Sequence, residues 1–167
     1  AVASLSSVQI GALTSAQLAA LSSDQLQALT ATQLRGLNSA QLASLSTDDL
    51  NALTSSQFQA LGSAQIAALT SQQLHALESE DFAALSSSQL RGMETRDLAA
   101  LDSADLAVLS ATQLAGLSSA QMRALATEAL TGLATDTVAA LGTAQIAGLT
   151  TAQIAGLSTE QLNSLTS

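Results

Sequence analysis

Apolar residues recur along this chain with a period of eight. When the sequence is written in rows of eight that end at Leu5, Leu13 and so on to Leu165, the last position is always Leu, except at Met93. The fifth position is apolar in every row. We call each row an octad and number its positions one to eight. The consensus is [ST]-[STA]-x-Q-L-x-[AG]-L, and its phase never slips.

The polar positions of the octad predict a helix start. Ser or Thr at position one followed by Gln at position four is the capping-box pattern, in which the hydroxyl accepts from a backbone N–H and the amide reaches back. Good helix formers follow, without any Pro. Each octad is therefore predicted to form one short capped helix of about one and a half turns.

A single continuous helix does not fit this period. At about 100° per residue, eight residues overshoot two turns by roughly 80°, so the Leu stripe would spiral around the helix. The fold class predicted is all-α: a solenoid or superhelix of short capped helical segments, one per eight-residue repeat. A β-solenoid is the alternative, disfavoured because two-residue alternation is missing and Gln, Ala and Leu are poor strand formers.

No octad is expected to fold alone. Burying two large side chains contributes about 3 to 6 kcal/mol, whereas ordering eight residues costs about 12 kcal/mol. Stability must come from stacking against neighbouring octads. The small residues at position seven are expected to let one backbone approach the next.

The repeat extends over the whole sequence. Residues 1–167 are interpreted as a single tandem array of about twenty octads, with the appearance of a fragment of a longer array. Neither end carries a polar capping module. We therefore expect the end faces to support self-association, or to contact flanking domains of a larger parent protein.

Composition excludes several classes of partner. The net charge is −9, with only four basic residues, so a nucleic-acid partner or an anionic membrane surface is not expected. Polar residues interrupt every apolar run, which argues against a membrane-spanning helix. The absence of Cys leaves the redox compartment open.

Few residues stand out as candidates for chemistry. His75 is the sole histidine and occupies the variable position six, which favours an exposed substitution over a metal ligand or catalytic base. Asp81, Asp97 and Asp105 replace Gln at position four; a weak divalent-cation site is one hypothesis, and Asp as an equivalent cap acceptor is the favoured one.

No catalytic motif is found, so the chain is not expected to be an enzyme. Glycine-rich phosphate loops, EF-hand loops and nucleophile elbows are absent from the sequence. Glu94, Arg96 and Asp97 predict a local ion pair without functional meaning. No catalytic, cofactor-binding or metal-binding residue is assigned, and no cofactor is expected.

Several rows carry a family resemblance. The rows TSAQLAAL from Thr14 to Leu21, and GTAQIAGL and TTAQIAGL from Gly142 to Leu157, resemble the T-T-A-Q-[IL]-x-A-L arrays of very large secreted or surface proteins of bacteria, often adhesin-like. The resemblance covers essentially the whole chain. It implies an extracellular or cell-surface spacer, stalk or adhesive segment. The G-G-x-G-x-D motif of calcium-binding nonapeptide repeats is absent.

Three functional hypotheses follow. The favoured one is a structural spacer or stalk within a larger bacterial protein. The alternative is a solenoid scaffold that binds a protein or peptide, although position six shows no aromatic or Arg cluster. A remote alternative is an ice-binding surface, since Ser and Thr at positions one and two form regular rows; N-capping already explains position one.

Overall fold

The computed structural model describes residues 2–165, and within them the only regular structure is helical. The chain divides into two compact units, residues 1–85 and 86–167. The first contains a short 3-10 helix, Val2–Ser4, followed by α1 Ser7–Gly11, α2 Ser15–Ala19, α3 Ser23–Gln27, α4 Ala31–Leu34, α5 Ser39–Ala43, α6 Thr47–Asn51, α7 Ser55–Ala60, α8 Ser63–Ile66, α9 Ser71–His75 and α10 Ser79–Ala83.

The second unit continues the same pattern. Its helices are α11 Ser87–Gly92, α12 Thr95–Leu98, α13 Ser103–Ala107, α14 Ala111–Ala115, α15 Ser119–Ala124, α16 Thr127–Leu130, α17 Thr135–Ala139, α18 Thr143–Gly148, α19 Thr151–Gly156 and α20 Thr159–Ser164. Each octad from Ser6 onward thus forms one helix of four to six residues, which confirms the predicted fold class.

Most helices begin with the predicted capping box. In α7 the Thr54 hydroxyl accepts from the Gln57 N–H at 3.3 Å, and Gln57 Oε1 accepts from the Thr54 N–H at 2.8 Å. These bonds satisfy donors that a helix start leaves unpaired. Six helices lack a side-chain cap bond because another residue type occupies position one: Gly62, Glu78, Glu94, Ala126, Ala134 and Gly142.

The chain turns between helices without unusual backbone angles. Leu61 and Gly62, at positions eight and one, are both extended, with φ/ψ of −66°/142° and −74°/157°. No residue in the range 2–165 has a positive φ. Any residue type adopts these conformations, so the turn needs no glycine.

Within each unit, a helix packs mainly against the third helix along the chain. The pairs α1 with α4 and α4 with α7 show this in the first unit, and α12 with α15 and α15 with α18 show it in the second. Side chains also bond to the fourth octad before their own. A turn of the superhelix therefore takes three to four octads. Octads stack as predicted, but their principal neighbours in space are not their neighbours in sequence.

The core consists of positions five and eight. Leu98 and Leu101 of one octad are 0% and 2% exposed, whereas Ala99 between them is exposed. The larger substitutes lie at the same two positions and are equally buried: Phe58, Phe82, Met93 and Met122. The predicted burial pattern is confirmed.

Position seven is where backbones approach most closely. A Cβ placed on Gly148 would lie 2.7 Å from the Cα of Ser119, at position two of the octad three before it. A Cβ on Gly116 would lie 2.6 Å from the Ser87 Cβ in the same relation. These contacts confirm the expectation that small residues here allow close packing.

Candidate functional site

The glutamine at position four bonds through both ends of its amide. Gln57 Oε1 accepts from the Thr54 N–H, and Gln57 Nε2 donates to the carbonyl oxygens of Leu26 and Leu29, both at 2.9 Å, and of Gln27 at 3.3 Å. Those carbonyls lie at the end of α3, four octads earlier. Since the last carbonyls of a helix have no partner inside it, one amide satisfies the start of one helix and the end of another.

This arrangement recurs through both units. Each of these glutamines donates from Nε2 to the carbonyl 28 residues earlier, and most of them also to the carbonyl 31 residues earlier. Most of the side chains are buried. We call the set the glutamine ladder; it comprises Gln33, Gln41, Gln57, Gln65 and Gln73 in the first unit and Gln121, Gln145, Gln153 and Gln161 in the second.

The sequence pattern predicted that this glutamine caps its own helix, but not that it bonds to an earlier octad. The pattern did contain a signal for the second contact: Glu never occurs at position four, although it serves a capping box as well as Gln does. A carboxylate has acceptors but no donor, whereas the amide has both. The preference for Gln over Glu therefore indicates a required N–H donor.

Aspartate at position four keeps the capping contact at two places. Asp49 Oδ2 accepts from the Ser46 N–H at 3.2 Å and the Ser46 hydroxyl at 2.7 Å, and Asp105 Oδ2 accepts from the Asp102 N–H at 3.0 Å. The prediction that Asp acts as a cap acceptor is confirmed for Asp105, and Asp49 makes the same contact. An ionised carboxylate cannot donate, so it does not replace the ladder contact to the earlier octad.

Asp81 makes a different contact. Its Oδ1 accepts from the Ser55 hydroxyl at 2.7 Å, which joins α10 to α7, three octads earlier. The side chain is buried, and burial raises the pKa of this carboxyl above its ordinary 3.8; the Ser55 hydrogen bond opposes that shift and the nearby charge of Glu80 adds to it. Asp81 therefore accepts the hydrogen bond that links two octads, whereas a ladder glutamine donates it.

The predicted ion pair around Arg96 is present. Its Nε lies 3.2 Å from Glu94 Oε2 and 3.6 Å from Oδ1 of Asp97, whose side chain is buried while that of Arg96 is exposed. The Arg96–Glu94 pair is exposed on both sides and contributes little to stability. The weak divalent-cation site suggested for Asp81, Asp97 and Asp105 stays a prediction.

Position six is exposed at His75, as predicted, but some side chains there do more than face solvent. Arg35 Nε donates to the Ala60 carbonyl at 2.9 Å, and Asn51 Nδ2 donates to the Ala76 carbonyl at 2.8 Å. Both acceptors lie at position seven of the octad three later. Long polar side chains at position six therefore add contacts between octads, a role that the sequence pattern did not reveal.

The helices are short, and the same capping and ladder contacts recur along the array. Among residues 2–165, no helix is long and apolar enough to cross a membrane.

No curated protein matches the chain. The sequence model of the ALTTAQ repeat matches residues 1–31, 21–55, 31–63, 45–77, 74–104, 98–135 and 130–167, which together cover the chain from end to end. The chain is thus an all-helical tandem-repeat protein that belongs to the ALTTAQ repeat family.

Proposed function

We propose that this array is a structural spacer or stalk within a larger bacterial extracellular or surface protein, and that it holds other domains apart without catalysing a reaction. The observation that carries the proposal is the glutamine ladder. In both units the same contact rule holds: the glutamine at position four donates to backbone carbonyl groups of the octad four before its own.

A contact rule of this kind suits a spacer because it can be extended. Any added octad meets the same partners as the octads before it, so length can grow without a new interface. The exposed residues support the same view. Position six carries Ala, Gly, Arg, Gln, Asn, His and Thr in scattered order, and among residues 2–165 the sole exposed large apolar side chain is Val8. A binding face would concentrate aromatic and Arg side chains.

The test is a distance measurement on arrays of increasing length. Since the chain has no cysteine, one cysteine can be placed near each end for a fluorescent donor and acceptor. We expect the end-to-end distance to increase in direct proportion to the number of octads when the array is duplicated internally. The matched control is a Gly/Ser-rich linker of equal length, whose distance grows roughly as the square root of residue number. Square-root growth of the array would contradict a spacer.

The cellular location requires a separate measurement. Protease accessibility of the array on intact bacterial cells that express the parent protein should match that of a known surface protein. Protection of the array until the cells are lysed would contradict the surface assignment while leaving the spacer function intact.

A further inference from the structure

Two successive helices of the second unit begin without a side-chain cap. Ala126 precedes α16 and Ala134 precedes α17, so neither helix start has a capping hydroxyl or a capping box. A cap satisfies N–H groups that the start of a helix otherwise leaves unpaired. Glu128 and Asp136 place negative charge in the first turns, which offsets only part of the missing cap.

The same two helices also lack the ladder contact. Position four is Ala129 in α16, which has no polar side chain, and Thr137 in α17. The carbonyl groups 28 residues earlier belong to Leu101 and Leu109, and within residues 2–165 no side chain donates to either of them. In α19, by contrast, Gln153 Nε2 donates to the carbonyl 28 residues before it at 2.7 Å. Both α16 and α17 thus lack the bond that would join their position four to an earlier octad.

The apolar core continues through α16 and α17. Leu130, Leu133 and Leu141 are buried, and α16 packs against α13 while α17 packs against α20. Val138 at position five of α17 is 0% exposed, but it is the smallest residue at that position in α1 to α20. Val buries less apolar area than Leu or Ile does, so burial stabilises α17 less. The two octads are therefore folded, but fewer contacts hold them closed.

Helices with similar substitutions elsewhere are isolated along the sequence. Both α10 and α12 begin without a side-chain cap and have Asp at position four, but each is followed by a helix with a complete capping box. Asp81 also accepts from the Ser55 hydroxyl of an earlier octad, and Asp97 lies beside Arg96. Within residues 2–165, two successive octads lack both cap and ladder contact only in the range 126–141.

We propose that residues 126–141, which we call the weak segment, form a joint in the array. In this joint α16 and α17 open and close locally while the helices on either side stay folded, because missing caps and hydrogen bonds lower the free energy of local opening. The mechanical part of the proposal rests on the proposed spacer function: under tension the weak segment opens first. Sixteen residues span at most about 55 Å when extended, so each opening lengthens the spacer by a limited amount.

Amide hydrogen exchange read by mass spectrometry tests the local opening. Residues 126–141 should exchange at least about tenfold faster than the amides of α15 on one side and of α19 on the other. Fraying from the chain end does not produce this pattern, because α19 lies nearer to that end than α16 and α17 do. Exchange that rises steadily toward Leu165, or equal exchange in all three regions, overturns the proposal.

A restored variant gives the weak segment its missing contacts. It carries Ala126→Ser, Ala129→Gln, Ala134→Ser and Thr137→Gln, which copy the octad consensus at positions one and four. Exchange in the weak segment should slow at least about tenfold, because caps and ladder donors are present again. A folded restored variant that exchanges as fast as the unmodified chain overturns the proposal.

The matched control is the double variant Thr131→Ser and Ala139→Ser, which changes exposed residues of the same two octads outside positions one and four. It should exchange like the unmodified chain. Equal slowing by the control and the restored variant would show that the cap and ladder contacts are not the cause, and would overturn the proposal.

The reverse variant, Ser118→Ala with Gln121→Ala, removes both contacts from the octad of α15. Residues 118–125 should then exchange about as fast as the weak segment does. This variant keeps the proposal testable if the four substitutions of the restored variant disturb folding, which circular dichroism detects. If residues 118–125 keep their slow exchange, missing cap and ladder contacts do not cause opening, and the proposal fails.

Force applied inside the array tests the mechanical role. The variant Ala107→Cys with Ala155→Cys places one handle in α13 and one in α19, at exposed positions on either side of the weak segment, so neither chain end carries load. We expect a first lengthening of up to about 55 Å. It should occur at a lower force than in the restored variant with the same two handles, and equal forces overturn the mechanical role. The end-to-end distance test of the spacer is independent, because a spacer can grow in proportion to octad number with or without a joint.

Discussion

At the scale of single residues, the position-four glutamine combines a local and a long-range contact. Gln121 Nε2 donates to the carbonyls of Leu90, Arg91 and Met93 at 3.0 to 3.1 Å, while its Oε1 accepts from the Ser118 N–H. The capping contact is available to any acceptor at this position. The second contact requires the amide, so the side chain that fixes a helix start also fixes which octads lie against each other.

Changing Gln121 to Glu should separate the two roles. The variant retains the cap but places a buried carboxylate against carbonyl oxygens, so we expect the free energy of unfolding to fall by about 2 to 4 kcal/mol. Gln17→Glu is the matched control, because Gln17 is exposed and makes only the capping contact; its effect should stay within about 0.5 kcal/mol. Urea titration followed by circular dichroism measures both. Equal effects would mean that the ladder contributes nothing to stability.

Asp81 gives a pH-dependent contribution to stability. Burial raises the pKa of its carboxyl in the folded protein above the ordinary value, so the folded state binds this proton more tightly than the unfolded state does. This group therefore favours folding more as the pH falls through its raised pKa. Asp81→Asn should increase the free energy of unfolding at pH 7, and the gain should shrink at acidic pH. Asp24→Asn, which removes an exposed charge, is the control; a pH-independent gain at Asp81 would contradict this account.

At the scale of the helix, the caps depend on residues within one octad, whereas the close approaches at position seven depend on packing between octads. The caps are local and tolerate substitution, since α16 and α17 begin at Ala126 and Ala134 without a side-chain cap. The approach at position seven is not local. A Cβ on Gly132 would collide with the Ser103 backbone of the octad three earlier, so the space there depends on packing between helices.

Gly132→Ala should therefore destabilise the protein by about 1 to 3 kcal/mol, because the two backbones must move apart. Gly62→Ala is the control: its added Cβ would meet Gln65 Oε1 at 3.7 Å, an ordinary contact, and we expect a change within about 0.5 kcal/mol. Thermal unfolding of both variants measures the difference. If Gly132→Ala is neutral, the close approach at position seven does not limit the packing.

At the scale of the whole chain, stability depends on contacts that skip octads. An octad reaches its partners three and four positions along, so a fragment of three octads contains none of these contacts. The ordering cost grows with every residue, whereas the compensating contacts begin only after the first turn. Each end therefore carries a penalty that spreads over about three octads.

Shortened chains should show this dependence directly. Arrays of about six, ten and fourteen octads should melt at increasing temperatures that level off toward that of the full chain, with the shortest barely folded. Trimming four octads from either end should leave a cooperative helical protein, as judged by circular dichroism. Complete unfolding on that trimming would refute the repeat-array account of stability and remove the physical basis of the spacer.

The sequence alone determined the features that depend on near neighbours. A Ser or Thr and a Gln three residues apart meet within one helical turn, so Thr54 and Gln57 predict a helix start without any knowledge of the rest of the molecule. The period of eight likewise predicted one helix per octad and the burial of Leu98 and Leu101. Each of these inferences can be made without knowing the angle between successive helices.

Only the tertiary structure decided which octads touch. The number of octads per turn depends on the accumulated rotation at extended residues such as Leu61 and Gly62, and a few degrees at each junction add up over a turn. The octad pattern does not encode that angle in any one residue. The second role of Gln57, the Ser55 bond to Asp81 and the closeness of Gly132 to Ser103 all follow from it. They stay hidden until the chain has completed a turn and brought residues 25 to 31 positions apart into contact.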